Sequence, residues 1–223
     1  MKYKGRFVTV SLVLFINLIY STHYYLRDGF VDWIEYLGYP IMLPIAWWFG
    51  KQFDMAKYYS EKDSLTGIYN RRYVETIFPK IKAKTEQNSQ RVAVLLIDVN
   101  DFKNINDHFG HKVGDEYLNV LANLLKKSIR KTDIVARYGG DEFLIILPDI
   151  QKQEYLDEMI DRIHQNLKNI SKSDLELSVS IGSAFYPSEG RTFEELLNMA
   201  DKNMYTIKSD TKNWNHTLNQ TAF

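Results

Sequence analysis

The pattern of apolar and polar positions divides the chain near residue 53. Residues 7–26 carry no formal charge, and residues 33–50 are mostly apolar. A helix needs about 20 apolar residues to cross the ~30 Å hydrocarbon core of a bilayer, and neighbouring helices tolerate the prolines of the second stretch. The pattern therefore predicts two transmembrane helices, at about 7–26 and 33–50, within a membrane anchor over residues 1–52.

Basic residues beside these stretches predict their orientation. Lys2, Lys4 and Arg6 precede the first stretch, and Lys51 follows the second. Since basic residues favour the cytoplasmic side, we expect a multi-pass protein of the cell membrane with both ends in the cytoplasm. Two alternatives stay open. One is a cleaved signal peptide, although residues 21–23 form a poor cleavage site, and the other is a pair of buried helices in a soluble domain.

From residue 53 onwards the pattern is that of a folded α+β domain. A polar, helix-compatible segment at 53–62 continues directly from the second apolar stretch and is predicted to be a connecting helix. Helical spacing of apolar residues then alternates with strand-like runs. The predicted elements are a helix at 71–84, a strand at 92–98, a helix at 116–130, a hairpin around Gly139 and Gly140, a helix at 153–169, a strand at 175–186 and a helix at 192–209. This order predicts a ferredoxin-like, antiparallel-rich sheet with helices packed on one face.

Composition narrows the possible chemistry. Lys and Arg together number 28, as do Asp and Glu, so net charge gives no argument for a nucleic-acid partner, and we expect none. The chain has no cysteine, which excludes disulfides and cysteine-based zinc sites.

Three carboxylates fall at the ends of predicted strands. Asp98 closes the strand at 92–98, and Asp141 and Glu142 follow the glycine pair of the hairpin. In a ferredoxin-like sheet this strand and the hairpin lie side by side, which brings the three acids together. Gathered carboxylates repel one another unless protons or cations neutralise them, and such hard oxygen ligands suit Mg²⁺ completed by substrate phosphates. The alternative is that Asp98 only caps the following helix.

The polar segment 98–118 offers partners for a purine base. Asn106 and Asp115 together supply an amide and a carboxylate, which are groups that hydrogen-bond to base edges. A plain polar loop with Asp115 as a helix N-cap is the alternative. Three lysines could bind phosphates: Lys103, Lys208 and Lys212. The alternative is that they are solvated surface residues.

Five motifs occur in the order and spacing of one known family. They are DSLTGIYNRR (63–72), DVNDFKNINDHFGHKVGD (98–115), RYGGDEF (137–143), SVSIGSA (178–184) and ADKNMYTIKSDTKN (200–213). Over residues 63–213 the chain resembles the GGDEF-domain diguanylate cyclases, as a membrane-anchored member, with residues 214–223 left as a C-terminal tail. The resemblance implies a ferredoxin-like core related to nucleotidyl cyclases and polymerase palms. It also implies condensation of two GTP into cyclic di-GMP and two pyrophosphates by a homodimer.

The resemblance further implies roles for individual residues. Asp98, Asp141 and the Val99 carbonyl would hold Mg²⁺ or Mn²⁺. Asp141 would also accept the 3′-hydroxyl proton, with Glu142 as the neighbouring catalytic acid. The paired glycines would let the backbone turn tightly with no side chain above the nucleotide. The implied substrate contacts are Gly139 and Gly140, Asn106 and Asp115 for guanine, His111 in support, and Lys103, Lys208 and Lys212 for phosphates.

Two departures and one further pair complete the comparison with the family's motifs. Asn100 stands where many members carry a second acid, which predicts a lower metal affinity. Lys212 replaces a common arginine and so offers a point charge in place of a bidentate group. Arg130 and Asp133 have the spacing of the family's inhibitory R-x-x-D site and imply feedback by the product. A catalytically silent module that binds GTP or cyclic di-GMP and acts through a partner is the alternative function.

Overall fold

The structure, a computed structural model, describes residues 3–31, 33–150, 152–170 and 177–220. The chain divides into two compact units, Met1–Glu61 and Lys62–Phe223.

The first unit is a helical hairpin. Its elements are helix α1 (Lys4–Asp28), a 3₁₀ turn (Trp33–Gly38) and helix α2 (Tyr39–Glu61). The two helices pack closely through small residues: the Thr9 hydroxyl donates to the Ala46 carbonyl at 2.7 Å. A Cβ atom at Gly50 would lie 2.5 Å from Cα of Arg6. Small residues allow this close approach of two helix backbones.

Asp54 of α2 joins the two helices at the open end of the hairpin by binding the first turn of α1. Its carboxylate accepts hydrogen bonds from the backbone N–H groups of Gly5, at 2.7 Å, and Arg6, at 3.4 Å. The first N–H groups of a helix have no partner within the helix. Asp54 therefore supplies, from another helix, the acceptor that an N-cap residue would normally provide.

One of the two predicted spans has the character of a transmembrane helix. Among the described residues, α1 is the helix long and apolar enough to cross a membrane, with a mean hydropathy of 1.5 over its most apolar stretch. The prediction of a second such helix at 33–50 is not supported. That stretch is divided between the 3₁₀ turn and α2. The polar residues that begin at Lys51 fall within any window of α2 long enough to span a bilayer.

The second unit is built on a five-stranded sheet in the order β1-β3-β4-β2-β5. Its strands are β1 (Tyr69–Asn70), β2 (Val92–Val99), β3 (Ile134–Arg137), β4 (Glu142–Pro148) and β5 (Val179–Tyr186). Its helices are α3 (Arg71–Gln87), α4 (Phe102–Phe109), α5 (His111–Ser128), α6 (Gln153–Ile170) and α7 (Phe193–Gln220). The β1–β3 pair is parallel and the other pairs are antiparallel. The predicted α+β fold with an antiparallel-rich sheet is therefore confirmed.

The helices cover both faces of this sheet, so the prediction of helices on one face is wrong. Leu95 and Ile97 of β2 belong to a core with residues of α5 and α6. Val94 and Leu96 of the same strand belong to a second core with residues of α3 and α7. Because β2 is buried on both sides, its sequence shows a continuous apolar run with no alternation to distinguish the faces.

Two features of the fold position the site described below. The pairing of β2 with β4 sets Asp98 opposite Glu142, as the side-by-side arrangement of strand and hairpin predicts. Helix α7 lies directly against β5, where a Cβ atom at Gly182 would be 2.5 Å from the Met204 nitrogen. This close packing brings the middle of α7 to the same end of the sheet as the carboxylates.

Candidate active site

Three acids converge where β2 ends and β4 begins. Asp98 is the register partner of Glu142. The backbone N–H of Val99 donates to the Asp141 carbonyl at 3.2 Å, which joins the two chain segments just beyond the last paired residues. The side chains of Asp98, Asp141 and Glu142 are each partly exposed. A ligand approaching this end of the sheet therefore meets carboxylates from two adjacent strands.

The glycine pair forms the turn that precedes these acids. The N–H groups of Tyr138 and Gly139 both donate to the Glu142 carbonyl, at 2.8 and 3.2 Å. A Cβ atom at Gly139 would overlap the Glu142 carboxylate and lie 3.2 Å from its Cδ. Gly140, in contrast, faces open space. The first glycine thus leaves room for Glu142, and the second leaves an open surface beside the acids.

Negative charge is concentrated at this point. Burial raises the pKa of Glu142 above its usual value, and the nearby carboxylates of Asp98, Asp141 and Asp201 raise it further, while Arg71 opposes the change. Like charges close together favour the protonated form of one of them. The site therefore favours the binding of cations.

Helix α7 supplies one such cation. The Lys208 ammonium lies 2.5 Å from Oδ1 of Asp98, and both side chains are partly buried, with exposures of 31% and 23%. Lys212 lies one turn further along α7, but its side chain is outside the part of the chain that the structure describes.

The oxygen donors at this end of the sheet are of the kind that hold a hard divalent cation. Within the described residues, no three His, Cys, Asp or Glu side chains form a metal-binding group. Asp98 and Asp141 are close enough to Glu142 to raise its pKa, and with the Val99 carbonyl they are the oxygen donors here that could hold Mg²⁺. Mn²⁺ accepts the same ligands.

The predicted base-binding residues lie on the corner between α4 and α5. Helix α4 begins at Phe102, just after β2 ends at Val99. The corner therefore comes soon after the end of β2 that carries Asp98. Asn106 is half-buried on α4, and Asp115 is exposed on α5. Asp115 is the fifth residue of α5 rather than its N-cap, so the capping alternative for Asp115 is wrong. Lys103 and His111 lie exposed at the starts of α4 and α5.

Asp98 does not cap the following helix, and Asn100 binds two serines at the start of β5. The N-cap position of α4 is occupied by Asp101, so Asp98 does not cap that helix. The Asn100 amide donates to the Ser178 hydroxyl at 3.1 Å and accepts from the Ser180 hydroxyl at 2.7 Å. Asn100 therefore ties the end of β2 to β5.

One set of contacts at the site was not predicted from the sequence. Arg137 donates to both oxygens of Asp63, at 3.3 and 3.5 Å, and to the Gly140 carbonyl, at 2.6 and 3.0 Å. Asp63 also accepts from the backbone and hydroxyl of Thr66. Asp63 and Arg137 each begin one of the five sequence motifs, but nothing in the motifs indicates that these two residues bind each other.

Arg130 and Asp133 form the turn between α5 and β3. The Asp133 carboxylate accepts from the Arg130 backbone N–H at 2.8 Å. Burial raises the pKa of Asp133, and this hydrogen bond opposes the change. The Arg130 guanidinium lies over the Tyr155 ring, 3.8 Å from its centroid. It also borders a groove of about 210 Å³ that is rich in lysine.

Comparison with known proteins agrees with the motifs. The family model "Diguanylate cyclase, GGDEF domain" matches residues 60–214. The chain belongs to the GGDEF-domain diguanylate cyclase family. It is 37% identical to the diguanylate cyclase DosC of Escherichia coli over 155 residues, which are 68% of this chain and 34% of DosC. It is 36% identical to the response regulator PleD of Caulobacter vibrioides over 157 residues, again 68% of this chain and 34% of the relative.

A solved structure shows the same fold. The isolated GGDEF domain of YfiN, also called TpbB, from Pseudomonas aeruginosa is 35% identical and superposes with a TM-score of 0.63. The match covers 67% of this chain and 89% of that domain. The chain spans about a third of the length of the curated relatives it matches, since the aligned part is 34% of DosC and of PleD. The relationship therefore concerns the GGDEF domain.

Proposed function

We propose that the protein is a diguanylate cyclase that condenses two GTP into cyclic di-GMP and two pyrophosphates. The observation that carries the proposal is the register of β2 and β4, which sets Asp98 beside Asp141 and Glu142 next to the glycine turn. Membership of the GGDEF family supports the choice of reaction. Each 3′-oxygen forms a bond to the α-phosphorus of the other nucleotide, and each pyrophosphate leaves as its bond to that phosphorus breaks.

Asp98, Asp141 and the Val99 carbonyl are the residues that would hold Mg²⁺ or Mn²⁺. A bound divalent cation would neutralise charge on the phosphates as pyrophosphate leaves. Asp141 is the proposed acceptor of the 3′-hydroxyl proton, and Glu142 the neighbouring catalytic acid. Gly140 leaves the approach to these acids open, because no atom outside residues 139–141 lies within 4 Å of the position its Cβ would take.

Substrate recognition is assigned to two groups of residues. Asn106 and Asp115 offer an amide and a carboxylate to guanine, with His111 in support. Cationic side chains that would meet the phosphates are Lys103, Lys208 and Lys212. Lys208 contacts Asp98, so it stands at the point where phosphate oxygens and the carboxylates would meet.

We also propose that the active form is a homodimer. The reaction joins two nucleotides, and each domain has one set of these residues. Two chains must therefore face each other, with each 3′-hydroxyl aimed at the other α-phosphate. Cyclic di-GMP accumulating at Arg130 and Asp133 would hold the two domains apart and so inhibit synthesis.

The hairpin of α1 and α2 is proposed to anchor the enzyme in the cell membrane, with the cyclase domain in the cytoplasm. The two helices pack through Thr9, Ala46 and Gly50. We therefore propose that the apolar half of α2 enters the membrane beside α1. Large apolar side chains face outwards on both helices, among them Phe7, Leu14, Leu18, Ile41, Ile45 and Phe49. Basic residues at the open end of the hairpin favour the cytoplasmic side.

The test is product formation by the full chain purified in detergent. With GTP and Mg²⁺ we expect cyclic di-GMP and pyrophosphate in a ratio of one to two, detected by anion-exchange chromatography. Glu142→Gln, which removes the charge and keeps the shape, is the control for a contaminating cyclase. Binding of GTP by the wild type without product would instead indicate a silent binding module.

A further inference from the structure

Gly114 lies buried on α5 against the side chain of Asn106. A Cβ atom at Gly114 would overlap Oδ1 of Asn106 and would lie 3.1 Å from its Cγ and 3.2 Å from Cζ of Phe102. Contacts of this kind require a neighbour to move. The absence of a side chain at residue 114 is therefore what leaves room for the Asn106 amide in its present position.

Backbone geometry does not require glycine at this position. Gly114 lies inside α5 and is not among the glycines with a positive φ angle. Glycine in the interior of a helix is less favourable than alanine, because it loses more conformational freedom on folding. Space for Asn106 is thus the structural reason for glycine at residue 114.

The surrounding backbone leaves the Asn106 side chain as the part that can move. Gly110, with a φ angle of 83°, joins α4 to α5. Its N–H donates to the Asn106 carbonyl at 2.9 Å, and its own carbonyl accepts from the Gly114 N–H at 3.3 Å. The Phe102 ring is held near the Tyr117 ring, with centroids 6.5 Å apart. A side chain at residue 114 would therefore turn the Asn106 amide away.

We propose that Gly114 is a positioning residue that sets the selectivity of the site for guanine over adenine. It does so by fixing the direction of the Asn106 amide beside Asp115. Guanine presents a carbonyl acceptor and N–H donors on its pairing edge, whereas adenine presents an amine donor and a ring acceptor. An amide held in one orientation distinguishes these patterns, since a mismatched partner leaves polar groups unpaired. The inference rests on the proposed function and deepens it.

The test compares equilibrium binding of two analogues to the full chain in detergent with Mg²⁺. α,β-Methylene GTP and α,β-methylene ATP cannot release pyrophosphate, so binding is measured without turnover. Wild type is expected to prefer the guanine analogue by about tenfold or more. Gly114→Ala is expected to lose about tenfold in affinity for the guanine analogue and to lose most of this preference. Its thermal midpoint should stay within about 5 °C of wild type, because the gain from alanine as the better helix former offsets the cost of turning the Asn106 side chain.

Two controls separate positioning from damage. Inorganic tripolyphosphate has no base, so its binding should be equal in wild type and Gly114→Ala. In an Asn106→Ala background, the further change Gly114→Ala should not lower the affinity for the guanine analogue any more, because no amide remains to be displaced. An unchanged preference in Gly114→Ala, no preference in wild type, or a parallel loss of tripolyphosphate binding would each overturn the inference. A wild type that shows the preference but makes no cyclic di-GMP would refute the proposed function alone.

Discussion

Arg137 binds Asp63 and, through the same guanidinium group, the carbonyl of Gly140 in the signature turn. Both charged side chains are largely buried, with exposures of 17% and 20%. The first acid of the domain is thereby linked to the turn that carries Asp141 and Glu142. Asp63 is the second residue of the second unit, so this contact joins the beginning of that unit to the turn.

Removal of the Arg137 guanidinium should impair both stability and activity. Arg137→Met leaves Asp63 without its charged partner and releases the Gly140 carbonyl, so we expect a loss of about 1–3 kcal/mol in the free energy of unfolding. Cyclase activity should fall because the turn is no longer fixed. Arg72→Met, an exposed arginine on α3, is the matched control and should change stability by less than about 0.5 kcal/mol. Equal behaviour of the two variants would contradict the link.

The Asp63 carboxylate should give stability a defined dependence on pH. Burial alone would raise its pKa, but hydrogen bonds from Thr66 and the charge of Arg137 outweigh burial and hold the pKa below its ordinary value. A carboxyl group with a lowered folded-state pKa stabilises the fold above the unfolded-state pKa of about 4. This contribution is lost as the pH falls through the lower folded-state pKa.

The measurement is the difference in unfolding free energy between wild type and Asp63→Asn in denaturant titrations. We expect a constant difference from about pH 7 to about pH 5 and a shrinking difference below about pH 4. A difference that grew on acidification would have the wrong sign for a carboxylate stabilised in its charged form.

Neutralising Asp141, one of the acids proposed to hold the metal, should reduce activity and leave stability intact. Asp141→Asn is expected to lower cyclic di-GMP synthesis by on the order of 100-fold or more, as for loss of a general base. Unfolding free energy should be unchanged or higher, because the negative charge that raises the pKa of Glu142 is reduced. Asp101→Asn is the matched control: Asp101 is an exposed acid with a φ angle of 53°, a conformation that asparagine tolerates. Comparable turnover by the two variants at saturating Mg²⁺ would refute the assignment.

The adjacency of Asp98 and Glu142 was predictable because both of its determinants are local. A buried strand ends in an acid, and a glycine pair marks the hairpin beside it. The coverage of both sheet faces was not predictable, since β2 is apolar from Val92 to Ile97 and carries no alternation that would distinguish the faces. Helix α4 was missed because it is short and rich in Asn and Asp, which favour turns. The contact of Asp63 with Arg137 joins residues 74 apart, and no periodicity in the sequence reports such a pair.

Close packing of α1 on α2 should depend on the size of residue 50. Gly50→Ala would place a Cβ atom 2.5 Å from the Arg6 Cα, so the helices must separate. The chain has no cysteine. A disulfide between Thr9→Cys and Ala46→Cys would therefore report how closely α1 approaches α2. We expect the disulfide yield in detergent to fall when Gly50→Ala is added. Gly38→Ala, whose Cβ would meet Met42 at an ordinary 3.7 Å, should leave the yield unchanged.

Product feedback should depend on the Arg130 guanidinium. This group lies over the Tyr155 ring and beside a groove that Lys126 and Lys131 also line, so the surface suits a product with two phosphates and two guanines. Asp133 binds the Arg130 backbone and fixes the turn from which the guanidinium extends. Arg130→Ala should raise the inhibition constant for added cyclic di-GMP about tenfold or more, as expected for the loss of charged hydrogen bonds. The readout is the progress curve at several concentrations of added product, with each variant's own initial rate as the reference.

The matched comparison for Arg130 is Lys152→Ala, because Lys152 is exposed near the same guanidinium and carries the same charge. A general electrostatic attraction of the product to this surface would make the two variants similar and strongly dependent on salt. Recognition by the planar, bidentate guanidinium predicts instead a large effect at Arg130 alone, because an ammonium group lacks the planar pair of parallel N–H donors that a guanidinium presents. Arg130→Lys therefore decides between these accounts. It keeps the charge, and it should remain as insensitive to product as Arg130→Ala if guanidinium geometry is what binds the product.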